Sequence, residues 1–328
     1  MSKSSCTTVI GRVGKVPREE EIQRMAEVAA EHFLQGRSKV EIAESHGISR
    51  FQVARLLDQA RREGIVQIRI VNPLDAGSKR PELARRLGVA SVTVIARRSE
   101  ESLRSALARQ AAGLLMEKLH DGARLGVAWS RTLMHLPEHL KSLPKVDLVQ
   151  LVGPLSAPGT SAAAATGLIH TLGSLAQGQV WPLPTPLVVD SVEVAASLRA
   201  AEEVRAALEA AADLDVAVIS IGGWGDGAST LWGRLSAEEQ SAAMSAGVVA
   251  ECSGILLNAE GEVARSGLEN RVIGVAPEHL RSARVVALAP AQQHPEAVIG
   301  AARAGFVDDL VLSSELASRV EATLDRSA

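Results

Sequence analysis

The chain has 328 residues, a length that predicts two domains, with 46% hydrophobic and 22% charged residues, which excludes disorder as its main state. Charge divides unevenly: residues 1–72 carry 12 Lys and Arg against 9 Asp and Glu (net +3), and the rest carries 23 against 29 (net −6). A mildly basic head on an acidic body suits a nucleic-acid reader joined to something else, while seven aromatics and no Tyr argue against a stacking platform for single strands.

Residues 1–17 read as a loose tail without a long apolar stretch. No run reaches the roughly 18 apolar residues of a membrane span, and Cys6 and Cys252 lie too far apart in sequence to suggest a disulfide framework. The expected setting is the reducing cytoplasm, with no membrane partner. From Arg18 to Leu34, Ile22, Met25, Ala26, Ala29 and Phe33 recur at helical spacing, and Gly36 supplies a stop. Ser38 caps a short second helix that ends at His46-Gly47. Ser49 caps a third, with Val53, Leu56, Leu57 and Ala60 as its apolar stripe, closed by Gly64. VQIRIV (66–71) alternates as a half-buried strand does. Three helices and a strand make residues 18–72 a winged helix-turn-helix.

NPLDAGSKR (72–80) predicts a linker over 73–80, because Pro73 and Gly77 interrupt regular structure. Residues 81–328 then alternate strands and helices. Strands are expected at 92–96, 124–129, 146–153, 179–183, 214–222, 254–258, 271–275, 283–289 and 307–312. Helices are expected at 101–119, 130–141, 160–173, 201–212, 236–246, 293–304 and 314–325. Several strands are continuous apolar runs, the mark of a parallel sheet covered on both faces. The fold class is therefore α/β: a winged helix-turn-helix followed by a Rossmann-like doubly wound domain.

In helix-turn-helix proteins the second helix of the pair enters the major groove N-terminus first. Here that helix begins SRFQVARLL. Arg50, Gln52 and Arg55 fall outside its apolar stripe. Arg is suited to guanine and Gln to adenine, and Ser49 with the free amides of a helix start suits a phosphate. Ser38 and Phe51 complete the expected DNA-binding set. The plainer alternative for any one of these charges is a solvated helix face.

The stretch HGISRFQVARLLDQARREGIVQIRI (46–70) resembles the DNA-binding domain of the SorC family of bacterial transcriptional regulators, relatives of the DeoR type. The resemblance continues through GVAWSRTL, DLVQLVGPL, AGVVAECSGILLNAEGE, RVIGVAPEHL and AVIGAARAGFVDDLVLSSELA, in the family's order along nearly the whole chain. It implies an effector domain like the sugar-phosphate isomerase and CoA-transferase-like folds. It also implies a sugar or sugar-phosphate effector, a homodimer or homotetramer, and double-stranded operator DNA as partner. No cofactor, metal site or catalytic residue is implied.

RLGVAWSRTL gives a separate reason to expect an anion. A buried strand leads into a turn at Trp129-Ser130, and the predicted helix starts at Arg131. Ser130, Thr132 and Arg131 then add donors to a helix N-terminus. The alternative is a plain cap at Ser130 with Arg131 in water. Gly153, Gly222 and Gly223 come after other strands and are expected in the same pocket, where open α/β sheets bind ligands. The resemblance places Glu251 where the family carries an acidic residue, usually Asp, toward sugar hydroxyls. It also marks departures. The family more often has Gly at Ser130, and His294 stands where it carries a Lys for the phosphate. Leu312-Ser313-Ser314 replaces Thr-Asp-Glu. A fixed charge exchanged for a group titrating near neutrality predicts a weaker phosphate contact or a different ligand.

The same residues allow two other readings. An isomerase-like enzyme would draw on Glu251, Asp226 and His294, but they are scattered and no HExxH, CxxC, GxSxG or P-loop motif is present. The altered 289–294 stretch also fits a family regulator that has lost its small-molecule response.

Overall fold

Helix-forming sequence, two serine caps and one tight glycine turn build the N-terminal unit of the computed structural model, which describes residues 18–66, 77–95, 101–154, 162–290 and 292–327. The chain divides into two units at Asn72 and Pro73. In the first, helices α1 (Arg18–Phe33), α2 (Lys39–Ser45) and α3 (Arg50–Arg62) bury Met25, Val28, Ala29, Ile42, Ala43, Val53, Leu57 and Ala60 in one small core. Ser38 and Ser49 each open a helix with a capping box. The hydroxyl accepts from the third residue's N–H, and that residue's side chain, Glu41 or Gln52, accepts from the serine N–H. Between α2 and α3 the chain reverses at Gly47, whose φ of +63° favours glycine. Glu31 ties α1 to the residues flanking α2 on either side, meeting His46 Nε2 at 2.7 Å and Arg37 Nη1 at 2.5 Å. The tail at 1–17 lies outside the described residues, as does all of the strand expected at 66–71 except Val66.

The second unit is built on a sheet ordered β1-β2-β10-β9-β6-β3-β4-β5. These strands are β1 (Ser78–Lys79), β2 (Ser91–Ile95), β3 (Arg124–Val127), β4 (Val146–Gln150), β5 (Gln177–Trp181), β6 (Val216–Gly223), β9 (Arg284–Ala289) and β10 (Asp309–Ser313). All neighbours are parallel except the β1–β2 pair. β7 (Ala250–Cys252) pairs antiparallel with the end of β6, and β8 (Ile255–Leu257) pairs with β7. Successive residues of β9 and β10 are nearly all buried, so the sheet is covered on both faces. The covering helices are α4 (Pro81–Leu87), α5 (Leu103–Lys118), α6 (Ala162–Ala176), α7 (Val192–Ala200), α8 (Glu202–Ala210), α9 (Ala237–Ser245), α10 (Pro277–Ser282), α11 (Pro295–Arg303) and α12 (Ser314–Ser327). Leu183, Val189, Ala195, Val204, Ala207 and Ile273 form a separate small cluster beside the main core.

Three expectations need correction. The linker expected to run to Arg80 stops sooner, since Ser78 and Lys79 pair with Val94 and Thr93. The helix expected at 130–141 is a turn followed by a 3-10 helix, Leu133–His139, with Pro137 inside it. Proline lacks the N–H an α-helix needs at that point. The strand expected at 271–275 is reduced to isolated bridges, Val272 with Val188 and Gly274 with Val152. There Arg199 Nη2 donates to the Val272 carbonyl at 2.6 Å, taking an acceptor a ladder would use.

The sheet order sets the position of the site. From β3 the chain winds outward through β4 and β5, then returns to place β6 on the other side of β3. Outside the carboxyl ends of β3 and β6 the connections diverge and leave a crevice, the usual ligand position in an open α/β sheet.

Candidate functional site

A cleft of about 740 Å3, counted with its solvent-open mouth, lies at this crevice. Trp129, Ser130, Arg131 and Thr132 come after β3, while Val152 and Gly153 come after β4. Ser220, Ile221 and Gly222 end β6, and Ala228 to Leu231 come from the loop beyond. The β7–β8 hairpin supplies Glu251, Ser253 and Gly254; Pro290, Gln292 and Gln293 come after β9. Arg104 enters from the first turn of α5 and Leu187 from the segment before α7. Trp129, Val152, Leu187, Ile221 and Leu231 make apolar walls among polar groups, the composition of a small-molecule site.

Seven of the nine residues expected in the pocket line it: Trp129, Ser130, Arg131, Thr132, Gly153, Gly222 and Glu251. Gly223 and His294 do not. The Gly223 N–H points to Gln293 Oε1, and a Cβ on Gly223 would crowd that atom and the His294 ring. His294 is exposed and forms the start of α11 without a side-chain cap. The buried side chain beside it, Gln293, donates to the Ala228 carbonyl at 3.2 Å and so holds the loop after β6. Arg104, Ser220, Ser229, Thr230, Ser253, Gln292 and Gln293 were not expected. Arg104 lies on a helix flank with no glycine or strand end to mark it, and the others depend on which loops the topology brings together.

Ser130 is occupied. Its hydroxyl lies 2.6 Å from that of Ser220 and accepts the Leu133 N–H at 3.0 Å, so it caps the 3-10 turn and ties β3 to β6. Gly153 is glycine for want of room, because a Cβ there would sit 1.8 Å from the Thr185 carbonyl oxygen. Glu251 Oε1 accepts the Gly254 N–H at 2.6 Å. Burial pushes the Glu251 carboxyl above the usual carboxylate range, and the Gly254 N–H opposes part of that rise. The neighbouring Cys252 thiol is pushed well up by burial and by Glu251, which keeps it protonated and unreactive. Arg104 is partly buried, and burial together with the Arg131 guanidinium makes its charge less favourable. Among the described residues no group of three or more metal-ligating side chains is gathered, and no helix is long and apolar enough to cross a membrane.

On the first unit, Ser49, the cap of α3, and Arg50, Phe51, Gln52 and Arg55 within it are exposed, whereas Val53, Leu57 and Ala60 are buried. The Arg50 guanidinium lies 4.9 Å from the centroid of the Phe51 ring, and Phe51 is 71% exposed. Three residues of the expected reading set are engaged in caps. Gln52 Oε1 accepts the Ser49 N–H at 2.8 Å, the Ser49 hydroxyl accepts the Gln52 N–H at 3.2 Å, and the Ser38 hydroxyl accepts the Glu41 N–H at 3.3 Å. Arg50 and Arg55 carry no ion pair among the described residues; Arg62 pairs with Asp58 at 2.8 Å.

Residues 76–320 match the Sugar-bind family, described as "Putative sugar-binding domain". The chain belongs to the Sugar-bind family. The matched stretch contains every residue that lines the cleft, from Arg104 to Gln293. The SorC-type kinship drawn from the sequence agrees with the relatives of this Sugar-bind chain. It is 29% identical over 309 residues to the transcriptional regulator LsrR of Enterobacter sp. (strain 638), covering 92% of this chain and 93% of that one. It is 25% identical over 304 residues to the deoxyribonucleoside regulator of Bacillus subtilis (strain 168), covering 91% and 97%. The full-length sorbitol operon regulator SorC of Klebsiella pneumoniae superposes with a TM-score of 0.65 at 22% identity, over 93% of this chain and 99% of that one. At that identity the likeness concerns the fold.

Proposed function

We propose that this Sugar-bind chain is a DNA-binding transcriptional regulator of carbohydrate metabolism, governed by a sugar or sugar phosphate held in the cleft between the ends of β3 and β6. The observation that carries the reading is the coincidence of that cleft with the Sugar-bind match, in a chain that also carries a three-helix unit with an exposed, arginine-bearing α3. The relatives named above as regulators support it over 97% and 93% of their lengths. Arg50 and Arg55 meet base edges or phosphates in the major groove, and Ser49 and the free amides at the start of α3 receive a backbone phosphate. A homodimer or homotetramer in the cytoplasm reads a two-fold operator. Effector binding favours one arrangement of the assembly and so changes operator affinity. By linkage, operator DNA changes effector affinity by the same factor.

Catalysis is the weaker reading. Of the acid–base candidates only Glu251 lines the cleft, while Asp226 is exposed in the loop after β6 and His294 stands outside the lining. Isomerisation needs a base and a partner acid within reach of one substrate. The experiment is a gel shift of the full chain on DNA from upstream of its own gene, repeated with a panel of sugars and sugar phosphates. The expected result is a specific complex whose affinity changes with at least one of them. Turnover of a sugar phosphate with no effect on DNA binding would overturn the proposal.

A further inference from the structure

We infer that residues 225–230 form a flap on the wall of the cleft and that the Gln293 side chain is the latch that holds it closed. What the flap encloses rests on the reading of the cleft as the effector site; the latch rests on the contacts alone.

The post of the latch is fixed. Gln293 is 4% exposed, and its backbone is held on both sides. Its N–H donates to the Pro290 carbonyl at 3.1 Å, and its carbonyl accepts from Arg319 Nη2 of α12 at 3.0 Å. From this post the side chain reaches the end of β6 and the loop beyond. Oε1 accepts the Gly223 N–H, and Nε2 donates to the Ala228 carbonyl at 3.2 Å. Both ends of one neutral amide are therefore used, its acceptor on the strand and its donor on the loop.

The loop is lightly fastened between two firm anchors. At one end the Trp224 N–H donates to the Val249 carbonyl at 3.2 Å. At the other the Ser229 hydroxyl accepts the Leu231 N–H at 3.1 Å and the Trp232 N–H at 3.4 Å, and Leu231 is buried in the core. Between them Gly225 (φ +143°) and Gly227 (φ +69°) adopt backbone conformations that other residues rarely take. The Ala228 and Ser229 N–H groups share the Gly225 carbonyl, each at 3.3 Å. Among the described residues, the bond from Gln293 is the only hydrogen bond that ties 225–228 to another element. The Trp224 indole N–H, at the root of the loop, is buried without a partner, a cost that a second arrangement of the loop would relieve. Segments with few fastenings open locally, well below the free energy of global unfolding.

Ala228, Ser229 and Thr230 line the cleft, so the latched arrangement is the one that completes its wall. A ligand touching these residues favours that arrangement, and a chain that is latched less of the time binds it more weakly in proportion. Gln293 is thus a positioning residue: it acts on the ligand through the loop.

The test is hydrogen exchange of the ligand-free full chain, read by mass spectrometry on fragments covering 224–231, β9 and β10. Gln293→Met keeps the volume and loses both side-chain hydrogen bonds. It should speed exchange of the 224–231 fragment by about five-fold or more, with β9 and β10 unmoved. Gly227→Ala acts from the loop side, where a methyl meets nothing within 4 Å and only the positive φ opposes it. It should speed the same fragment, and it covers the case in which Gln293→Met fails to fold. Unchanged exchange of that fragment in the variants, or an acceleration shared equally by β9 and β10, would overturn the inference. Repeating the exchange with D-ribose 5-phosphate, D-glucose 6-phosphate and their parent sugars separates the latch from the reading it serves. A sugar that binds calorimetrically should slow the 224–231 fragment, and less so in Gln293→Met; one that binds and leaves the fragment unmoved would overturn the flap. Binding of none of the four would count against the effector reading, while the ligand-free variants still decide the latch.

Discussion

Replacing Asp309 with Ala should unfasten the edge of the sheet away from the cleft. Asp309 opens β10 and is 2% exposed. One oxygen lies 2.5 Å from the Ser91 hydroxyl and 3.3 Å from Arg284 Nη2; the other lies 2.9 Å from Arg284 Nε and 3.1 Å from Lys118 Nζ. One carboxylate therefore joins β2, β9, β10 and the end of α5. Removing it strands Lys118 and the Ser91 hydroxyl, while Arg284, more exposed, keeps Asp308 at 3.5 Å. Breaking a buried pair costs about 3–5 kcal/mol, and the partial exposure of Arg284 argues for the lower end, about 3 kcal/mol. At roughly 2–4 °C per kcal/mol for a unit of this size, the melting temperature should fall by roughly 6–12 °C. The pH dependence gives a second check. Burial would raise the Asp309 pKa, but hydrogen bonds from Arg284, Ser91 and Lys118 outweigh it and hold it below its ordinary value. A depressed folded pKa gives stability that is complete above the unfolded value of about 3.9 and lost as pH falls through the folded one. The wild-type advantage in calorimetric or circular-dichroism melts should be constant near neutrality and shrink only in acid. A loss under about 1 kcal/mol, or a gap unchanged into strong acid, would refute the reasoning.

Gly153→Ala places a methyl 1.8 Å from the Thr185 carbonyl, so the cleft wall must shift. About 1–3 kcal/mol of stability should be lost, together with sugar affinity, measurable by melting and titration. Leu57→Ala removes a 5%-exposed side chain from the eight-residue core of the first unit. A cost of about 2–5 kcal/mol should selectively lower the protection of α1–α3 in hydrogen exchange. Arg50→Ala should cost about 1–3 kcal/mol on the specific DNA site, read by fluorescence anisotropy. Gln52→Glu should preserve the capping box and the melting temperature but weaken DNA binding through its charge. Unaltered DNA affinity in both variants would mean that α3 is not the reading helix.

Much of the fold was legible because burial imposes a pattern. The continuous apolar runs that became β6, β9 and β10, and the Ser49 cap with the Val53, Leu57 and Ala60 stripe, obey local rules. What was missed depends on context. α4 and α10 are seven and six residues long and open on Pro81 and Pro277, too short for a period to show. At 130–141 the apolar spacing suited an α-helix, but Pro137 and the Ser130–Ser220 contact, between residues ninety apart, decide otherwise. The same limit applies to the site. Trp129 to Thr132, Gly153 and Gly222 sit at or just beyond strand ends, where topology indicates a ligand, whereas Glu251, in the middle of β7, was marked by the family resemblance. Arg104 and Ser253 take their places in the cleft only from the neighbours that folding brings. His294 occupied a suggestive place in the chain, yet it is Gln293, one residue earlier, that points inward to the loop after β6.

The central claim is that one ligand in the cleft alters one set of contacts on duplex DNA. It is tested most directly by anisotropy titration of the full chain onto its own upstream DNA over a range of salt concentrations, with and without the most effective member of the sugar and sugar-phosphate panel. The account predicts an affinity that falls steeply with salt and shifts with the sugar, the sugar's own affinity shifting by the same factor when DNA is saturating. An affinity indifferent to salt, or a bound sugar that leaves DNA affinity unmoved, would contradict it.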